Sequence, residues 1–322
     1  MLSRVANKLF WTGRYLERSE DTSRLLISFS NLIVDLPENN EVRWDILIRI
    51  FNCQKLFSER MKDISEYNIM KFLISDQKNL SSIVNTISFV RENVRTTRDA
   101  LPYEMWEYVS ELYHFVNEGA SKSHNRKNRF EYLDQIITRS QQINGMLGMT
   151  LSRDHAHKFI RLGRLIERAD MVSRVVDVGV NLLKNDEANK QAGLLLDQHL
   201  WTSILKALSC LSSYRQYVGP TANTNDVIKF VFKETTNPRS IIFCVKGIFE
   251  ELKTLDRNTI PVESIIKIIE AVYQFDPNPK NINSIHKFID NFQKSLGILN
   301  DEISQSWFLV ENRNINLNNI VQ

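Results

Sequence analysis

The sequence predicts an all-α fold, an irregular bundle of roughly ten helices, and three observations predict it. Only 10 glycines and 7 prolines occur in 322 residues, so turn formers are scarce and the elements must be few and long. Apolar residues recur at helical spacing along most of the chain, and no segment sustains the period-two alternation of a strand. One helical segment occurs twice, which predicts an internal pseudo-twofold repeat.

Turn formers and capping residues divide the first half of the chain. A helix begins at Ser3, which we expect to be its N-cap, and ends before Pro37, because proline disfavours helical dihedrals at the preceding residue. Asn79 or Ser81 is expected to cap a later helix, and Pro102 to begin another. Helices of this half are predicted at about 3–34, 42–60, 65–74, 79–99, from 102 onward and 129–148, with a polar loop at 118–128.

The second half is organised in the same way. Its helices are predicted at about 153–184, 190–217, 225–234, 238–256, 261–275 and 282–310, with proline-bearing turns at 219–220 and 276–279. The repeated helices need each other to bury their apolar faces. We therefore expect the halves 1–150 and 151–322 to share one core, as a single helical domain over 1–322.

Composition argues against several classes of function. The net charge is only +3, so we expect neither nucleic acid nor a membrane surface as a partner. No stretch has the length and apolarity of a membrane span or a signal peptide. Cys53, Cys210 and Cys244 are far apart and flanked by apolar residues, which predicts buried thiols in a reducing, cytoplasmic compartment. No metal-ligand spacing, phosphate-binding glycine loop or catalytic Cys/His pair is visible, so we expect no metal and no cofactor.

The most informative feature is the segment that occurs twice. Residues 6–26 align without a gap on residues 156–176, an offset of 150, and eight of the 21 positions are identical. The identical pairs are Ala6 and Ala156, Lys8 and Lys158, Gly13 and Gly163, Arg14 and Arg164, Glu17 and Glu167, Arg18 and Arg168, Ser23 and Ser173, and Arg24 and Arg174. Both copies therefore contain a Gly-Arg-x-x-Glu-Arg core.

Wound as helices, both copies place a stripe of apolar and small residues on one face. The stripe comprises Leu9, Thr12, Leu16, Ser19 and Ser23 in the first copy, and Phe159, Leu162, Ile166, Ala169 and Ser173 in the second. A glycine inside a helix costs about 1 kcal/mol relative to alanine, so its presence in both copies predicts a close backbone approach. We expect the two helices to cross near Gly13 and Gly163, with their Glu and Arg side chains meeting across a pseudo-twofold axis.

The charged residues beside this stripe have two interpretations. In the first, they form a half-buried ion-pair network that fixes helix packing, with Glu20–Arg24 and Asp170–Arg174 in the favourable i,i+4 order. In the second, they form a polar pocket in which paired arginines hold a carboxylate, a phosphate or a peptide end. The candidate binding residues are Arg14, Glu17, Arg18, Arg24, Arg164, Glu167, Arg168 and Arg174.

Other arginines are secondary candidates. Arg91, Arg95 and Arg98 are spaced to form one row on a helix, which is either a solvated face or faces the glutamates of the repeat or an anionic ligand. Arg239 follows a proline in the first turn of a predicted helix. It is either a surface residue or a residue that holds an anion together with the free backbone N–H groups of that turn.

Both copies of the repeat resemble the bacterial alpha-E domain family. This is a predicted all-helical group named for its Glu-Arg motif. The similar segments are MLSRVANKLFWTGRYLERSEDTSRLL at 1–26 and LSRDHAHKFIRLGRLIERADMVSRVVDV at 151–178. Further similarity lies in Arg91–Asp99 with Met105–Glu107, and in Asn237–Cys244. The resemblance therefore extends from residue 1 to at least residue 250.

The resemblance implies a setting but no reaction. Members of that family are typically encoded beside ATP-grasp-type and transglutaminase-like proteins, which implies a peptide ligation or modification system with those proteins as partners. The leading hypothesis is an accessory or binding component, rather than an enzyme, that contacts a peptide or such a partner through the repeated helix. One alternative is an enzyme of that system with Glu17 or Glu167 as general base in an arginine-lined cleft. The other is a structural scaffold in which the Glu-Arg cluster only packs helices.

Overall fold

The computed structural model describes residues 1–36, 43–183, 190–277 and 281–309, with the backbone alone at residues 183 and 190–196. Over these ranges the chain is all-helical and has no strand, which confirms the predicted fold class. The helices are α1 (Ser3–Asp35), α2 (Asp45–Ile50), α3 (Gln54–Arg60), α4 (Glu66–Ile74), α5 (Ile83–Arg95), α6 (Glu104–Gly119), α7 (Arg126–Thr150), α8 (His155–Leu183), α9 (Lys190–Ala207), α10 (Leu211–Tyr217), α11 (Thr224–Lys233), α12 (Ile241–Leu252), α13 (Thr259–Gln274) and α14 (Ile282–Ile303). None of these described helices has the length and apolarity needed to cross a lipid bilayer.

The described helices outnumber the roughly ten expected, in part because two predicted helices are split. The helix predicted over 42–60 is α2 and α3, which are joined at Asn52 with φ 50°. The helix predicted over 190–217 is α9 and α10, which are joined at Ser209 with φ 56°. A residue in the left-handed region interrupts a right-handed helix. Neither residue type is a strong helix breaker, so the sequence pattern passes through both positions unbroken.

Some predicted boundaries also differ from the structure. Leu2 holds the N-cap position of α1, so Ser3 is its first helical residue. The cap of α5 is Ser82, whose side chain accepts from the backbone N–H of Asn85, and not Asn79 or Ser81. The polar run predicted as a loop over 118–128 is partly helical, because α6 extends to Gly119 and α7 begins at Arg126. The predicted break at proline 37 lies outside the described residues.

Helices α1 and α8, which contain the two copies of the repeat, form the centre of the bundle. They pack along each other, and α1 also contacts α5, α7 and α9 while α8 contacts α12 and α14. All ten residues of the predicted stripe are buried: Leu9, Thr12, Leu16, Ser19, Ser23, Phe159, Leu162, Ile166, Ala169 and Ser173. The predicted core face of both copies is therefore confirmed.

The two central helices cross at their glycines. A Cβ atom added to Gly13 would lie 2.0 Å from the backbone oxygen of Ile160, and one added to Gly163 would lie 2.0 Å from the backbone oxygen of Phe10. Backbone atoms cannot yield to a side chain there unless the helices separate. The predicted crossing is confirmed, whereas a pseudo-twofold relation between the whole halves of the chain stays a prediction, as does their union in one domain.

The cysteines are free thiols, as predicted. Cys210 and Cys244 are buried, while Cys53 is only half-buried. Burial raises the pKa of each of the three thiols to about 12. The thiolate is the nucleophilic form of cysteine, so none of the three is activated near neutral pH.

Candidate functional site

The glutamates of the repeat lie where α1 crosses α8, and each is held by arginine from the other helix. Glu167 accepts hydrogen bonds from Nε (2.5 Å) and Nη2 (3.0 Å) of Arg18 and from Nε of Arg14 (2.7 Å). Glu17 accepts from Nε (2.5 Å) and Nη2 (2.9 Å) of Arg168. Arg18 thus forms a bidentate pair with Glu167, and Arg168 forms the equivalent pair with Glu17. Bidentate pairing is the strongest geometry between guanidinium and carboxylate groups.

Glu17 has a second arginine, which comes from outside the repeat. Arg239 donates from Nη1 to Glu17 (2.9 Å) and Asp21 (3.0 Å), and from Nη2 to Glu20 (2.9 Å). Its side chain is only 13% exposed, so the interpretation as a surface residue is wrong. Helix α12 begins at Ile241, so Arg239 lies before the helix and not in its first turn. The anions that Arg239 binds are carboxylates of the same chain.

The two carboxylates of the cluster are closed to solvent. The side chains of Glu17 and Glu167 are 0% and 2% exposed. Burial alone would raise the pKa of both carboxyl groups, but the guanidinium groups outweigh burial. Arg18, and then Arg14, lower the pKa of Glu167 to about 2, and Arg168 is the strongest influence that lowers the pKa of Glu17. A general base works best with a pKa near the working pH, so neither glutamate is poised for proton transfer.

The remaining arginine of each copy pairs within its own helix. Arg24 lies 3.0 Å from Glu20, and Arg174 lies 3.0 Å from Asp170, each four residues apart. Both predicted i,i+4 pairs are confirmed. Glu20 also accepts from Arg239, so the pair on α1 is continuous with the buried cluster.

Arg164 differs from Arg14, its counterpart in the first copy. Nη1 of each donates to an asparagine, Arg14 to Asn300 at 2.9 Å and Arg164 to Asn144 at 3.1 Å. Nε of Arg14 is bound to a carboxylate, whereas Nε of Arg164 is buried with no acceptor among the described residues. Burial, and then the positive charge of Arg168, lower the pKa of Arg164.

The secondary arginines do not form one helical row. Helix α5 ends at Arg95, and Arg98 begins a separate 3-10 turn. Arg95 pairs with Glu92 at 2.8 Å in solvent. The guanidinium carbons of Arg91 and Arg98 lie 5.0 and 3.8 Å from the ring centroid of Trp106. The described partner that Arg91 and Arg98 share is thus the ring of Trp106. The prediction that the three arginines form one row on a helix is wrong.

The sequence does not show which groups accept hydrogen bonds from Arg239, but it does contain a pattern that places Arg239 in a turn. The turns Asn79–Ser82 and Asn237–Ser240 share the pattern Asn-x-x-Ser. In each turn the asparagine side chain accepts from the backbone N–H two residues on, and the serine caps the next helix. Arg239 therefore occupies the place in its turn that Ser81 occupies in the other.

The comparisons with known proteins identify a family. Its model, described as "a predicted alpha-helical domain with a conserved ER motif", matches residues 1–308. Within the repeat, the Glu-Arg dipeptides are residues 17–18 and 167–168, which pair with each other across the helix crossing. No curated protein and no solved structure matches the chain. In the part of the chain that the structure describes, no group of His, Cys, Asp and Glu could hold a metal ion.

Proposed function

This chain belongs to the Alpha-E family, and we propose that it is a non-catalytic binding component of a bacterial peptide ligation or modification system. One observation carries the non-catalytic part of the proposal: every carboxylate oxygen of Glu17 and Glu167 is buried and has a guanidinium donor. Such a cluster can fix helices but cannot exchange protons with a substrate. It therefore favours a rigid frame over the alternative of an enzyme that uses these glutamates.

A surface on α5, α6 and the turn between them is suited to contact a partner protein. We call Arg91, Arg98, Trp106 and Tyr113 the arginine–aromatic surface. Arg91 lies over both Trp106 and Tyr113, at 5.0 and 4.7 Å from the ring centroids. Arginine, tryptophan and tyrosine are the residue types enriched at the energetic centres of protein interfaces. Their mutual stacking holds these side chains ready for contact.

The partners in this proposal are ATP-grasp-type and transglutaminase-like proteins, and a peptide is a further ligand. Support comes from the family resemblance, because members are typically encoded beside proteins of those two kinds. The closed Glu-Arg cluster is consistent with this role, since a frame that presents a surface needs no reactive group of its own.

Size-exclusion chromatography with one protein of each partner kind from the same source tests the proposal. We expect the full chain to co-elute with at least one of them. Arg98→Ala should weaken that complex by about tenfold with an unchanged melting temperature, because Arg98 is exposed. The matched control is Arg215→Ala, which removes an exposed arginine on α10. The proposal fails if the parent co-elutes with neither protein, or if the two variants weaken the complex equally.

A further inference from the structure

A basic cavity opens on the second copy of the repeat. Its volume is about 770 Å³, and basic or imidazole side chains from α8 and the residues just before it line one wall. They are Arg153, His157, Lys158, Arg161, Arg164 and Arg168. Glu250 and Glu251 of α12 line the opposite wall. Cavities of about 300–1,000 Å³ are of the size that holds small organic ligands.

Part of this charge is already neutralised within the chain. Arg168 is paired with Glu17, and Arg161 lies 2.7 Å from Glu251. Glu250 of the opposite wall is paired with Lys253. These pairs leave both glutamates of the cavity wall occupied, so neither compensates the cations that remain.

Three cations of the cavity have neutral partners instead. Arg153 donates to the backbone oxygen of residue 148 at 2.7 Å, and Lys158 donates to the backbone oxygen of residue 254 at 3.2 Å. Arg164 donates from Nη1 to Asn144 at 3.1 Å. Within the described ranges, no carboxylate pairs with any of the three. The cavity therefore holds three cations without a direct ion pair next to partly buried walls, where electrostatic attraction is stronger than in water.

Arg164 has the geometry to receive an oxyanion. With Nη1 engaged by Asn144, it retains Nε and Nη2, the edge through which Arg18 and Arg168 hold their carboxylates in the same protein. Nε is buried and has no acceptor among the described residues. Nη2 has no acceptor among the described residues either, and it is the donor left for a charge-assisted hydrogen bond to a bound oxyanion.

We propose that this cavity is an oxyanion-binding site, in which Arg164 holds a carboxylate or phosphate group of a ligand and Arg153 and Lys158 balance its charge. The rest of the cavity accommodates the body of the ligand. The site is formed mainly by α8 and α12, whereas the arginine–aromatic surface is formed by α5, α6 and the turn between them, so the site rests on different observations from the proposed function. Either can fail without the other.

Isothermal titration calorimetry on the full chain tests the site. The probes are inorganic phosphate, acetate, and trialanine with a free or an amidated carboxyl end. We expect at least one anionic probe to bind, less tightly as salt rises. Arg164→Gln should raise its dissociation constant by about tenfold or more. Arg153→Gln, at an exposed position, should raise it by a smaller factor. Arg215→Gln, outside the cavity, should leave it unchanged.

The outcomes separate the sources of the oxyanion. Preference for free over amidated trialanine assigns the site to a carboxylate at a peptide end, and strongest binding of phosphate assigns it to a phosphate group. The proposal is overturned if the parent binds no anionic probe, or if Arg164→Gln binds as the parent does. Should Arg164→Gln not fold, Arg153→Gln decides, and an unchanged dissociation constant in that variant overturns the proposal.

Discussion

Arg14 and Arg164 hold the same position in two copies of one helix, yet their surroundings differ. Arg14 lies 5.2 Å over the ring of Trp11 and donates to Glu167. The position of Trp11 is held by Arg161 in the second copy. Arg164 borders an open cavity instead of an aromatic ring, and no carboxylate among the described residues pairs with it.

The cause of the difference lies in a third element. Glu167 has two arginines from α1, whereas Glu17 takes its second arginine from the turn before α12. In the matching turn before α5 stands Ser81, which accepts only a 3.3 Å hydrogen bond from Arg18. Arg239 donates to Glu17 where, by analogy with Arg14 and Glu167, Arg164 would donate. Arg164 therefore has no bond to Glu17. The residues that are alike in the two copies thus hold the helices together, and the difference between Arg14 and Arg164 creates the candidate binding site.

The largest expected effect tests where the two copies are alike. Glu17→Gln and Glu167→Gln each leave buried arginines uncompensated, and each should lower the free energy of unfolding by about 3–5 kcal/mol. Urea unfolding followed by circular dichroism measures this, with Glu131→Gln at an exposed position as the control. A loss below about 1 kcal/mol in either variant would show that these pairs do not hold the crossing.

The glycines should also behave alike. Gly13→Ala and Gly163→Ala force a Cβ atom against backbone, and each should destabilise the protein by up to about 3 kcal/mol. The matched control is Gly297→Ala in α14, where an added Cβ meets nothing within 4 Å. That variant should gain about 0.5–1 kcal/mol from helix propensity. Equal effects of all three substitutions in thermal unfolding would contradict the close crossing.

Substitution of the two arginines should have unequal effects on stability. Arg14→Gln removes a charged hydrogen bond to buried Glu167 and should cost about 2 kcal/mol. Arg164→Gln removes no ion pair, only the hydrogen bond to Asn144, and should cost about 1 kcal/mol or less. In an Arg239→Gln background, Arg164 is free to engage Glu17, so the cost of Arg164→Gln should then rise by about 1 kcal/mol. A double-mutant cycle by urea unfolding measures the difference, and equal costs for Arg14→Gln and Arg164→Gln would remove the distinction.

The smallest expected effect concerns His157 in the cavity. Burial, followed by the charges of Arg153, Arg161 and Arg164, lowers its pKa to about 4, while Asp154 opposes the shift. A bound oxyanion favours the imidazolium form and should raise this pKa by about one unit. Binding of the phosphate monoanion, which keeps its charge in this range, should therefore tighten as the pH falls towards 4. Imidazole proton chemical shifts, titrated with and without phosphate, report the pKa. An unchanged value at saturating phosphate would place the anion elsewhere.

The sequence predicted the centre of the fold well, because periodicity and repetition encode it directly. The buried stripe, the glycine crossing and the pairs Glu20–Arg24 and Asp170–Arg174 all depend on spacing within one helix. Pairing between helices could not be read in the same way. The partnership of Glu17 with Arg239 joins positions 222 residues apart and depends on how a turn is placed in three dimensions.

The Glu-Arg cluster has a consequence for how the chain is made. Arg18 and its partner Glu167 are separated by 149 residues, and Glu17 and Arg239 by 222. A ribosome adds about 5–20 residues per second, so α1 emerges long before its partners do. Until then the stripe that includes Leu9 and Leu16 stays uncovered, as does Glu17. Contacts so distant in sequence form slowly, so we expect nascent α1 to benefit from chaperone protection while its partners are being made.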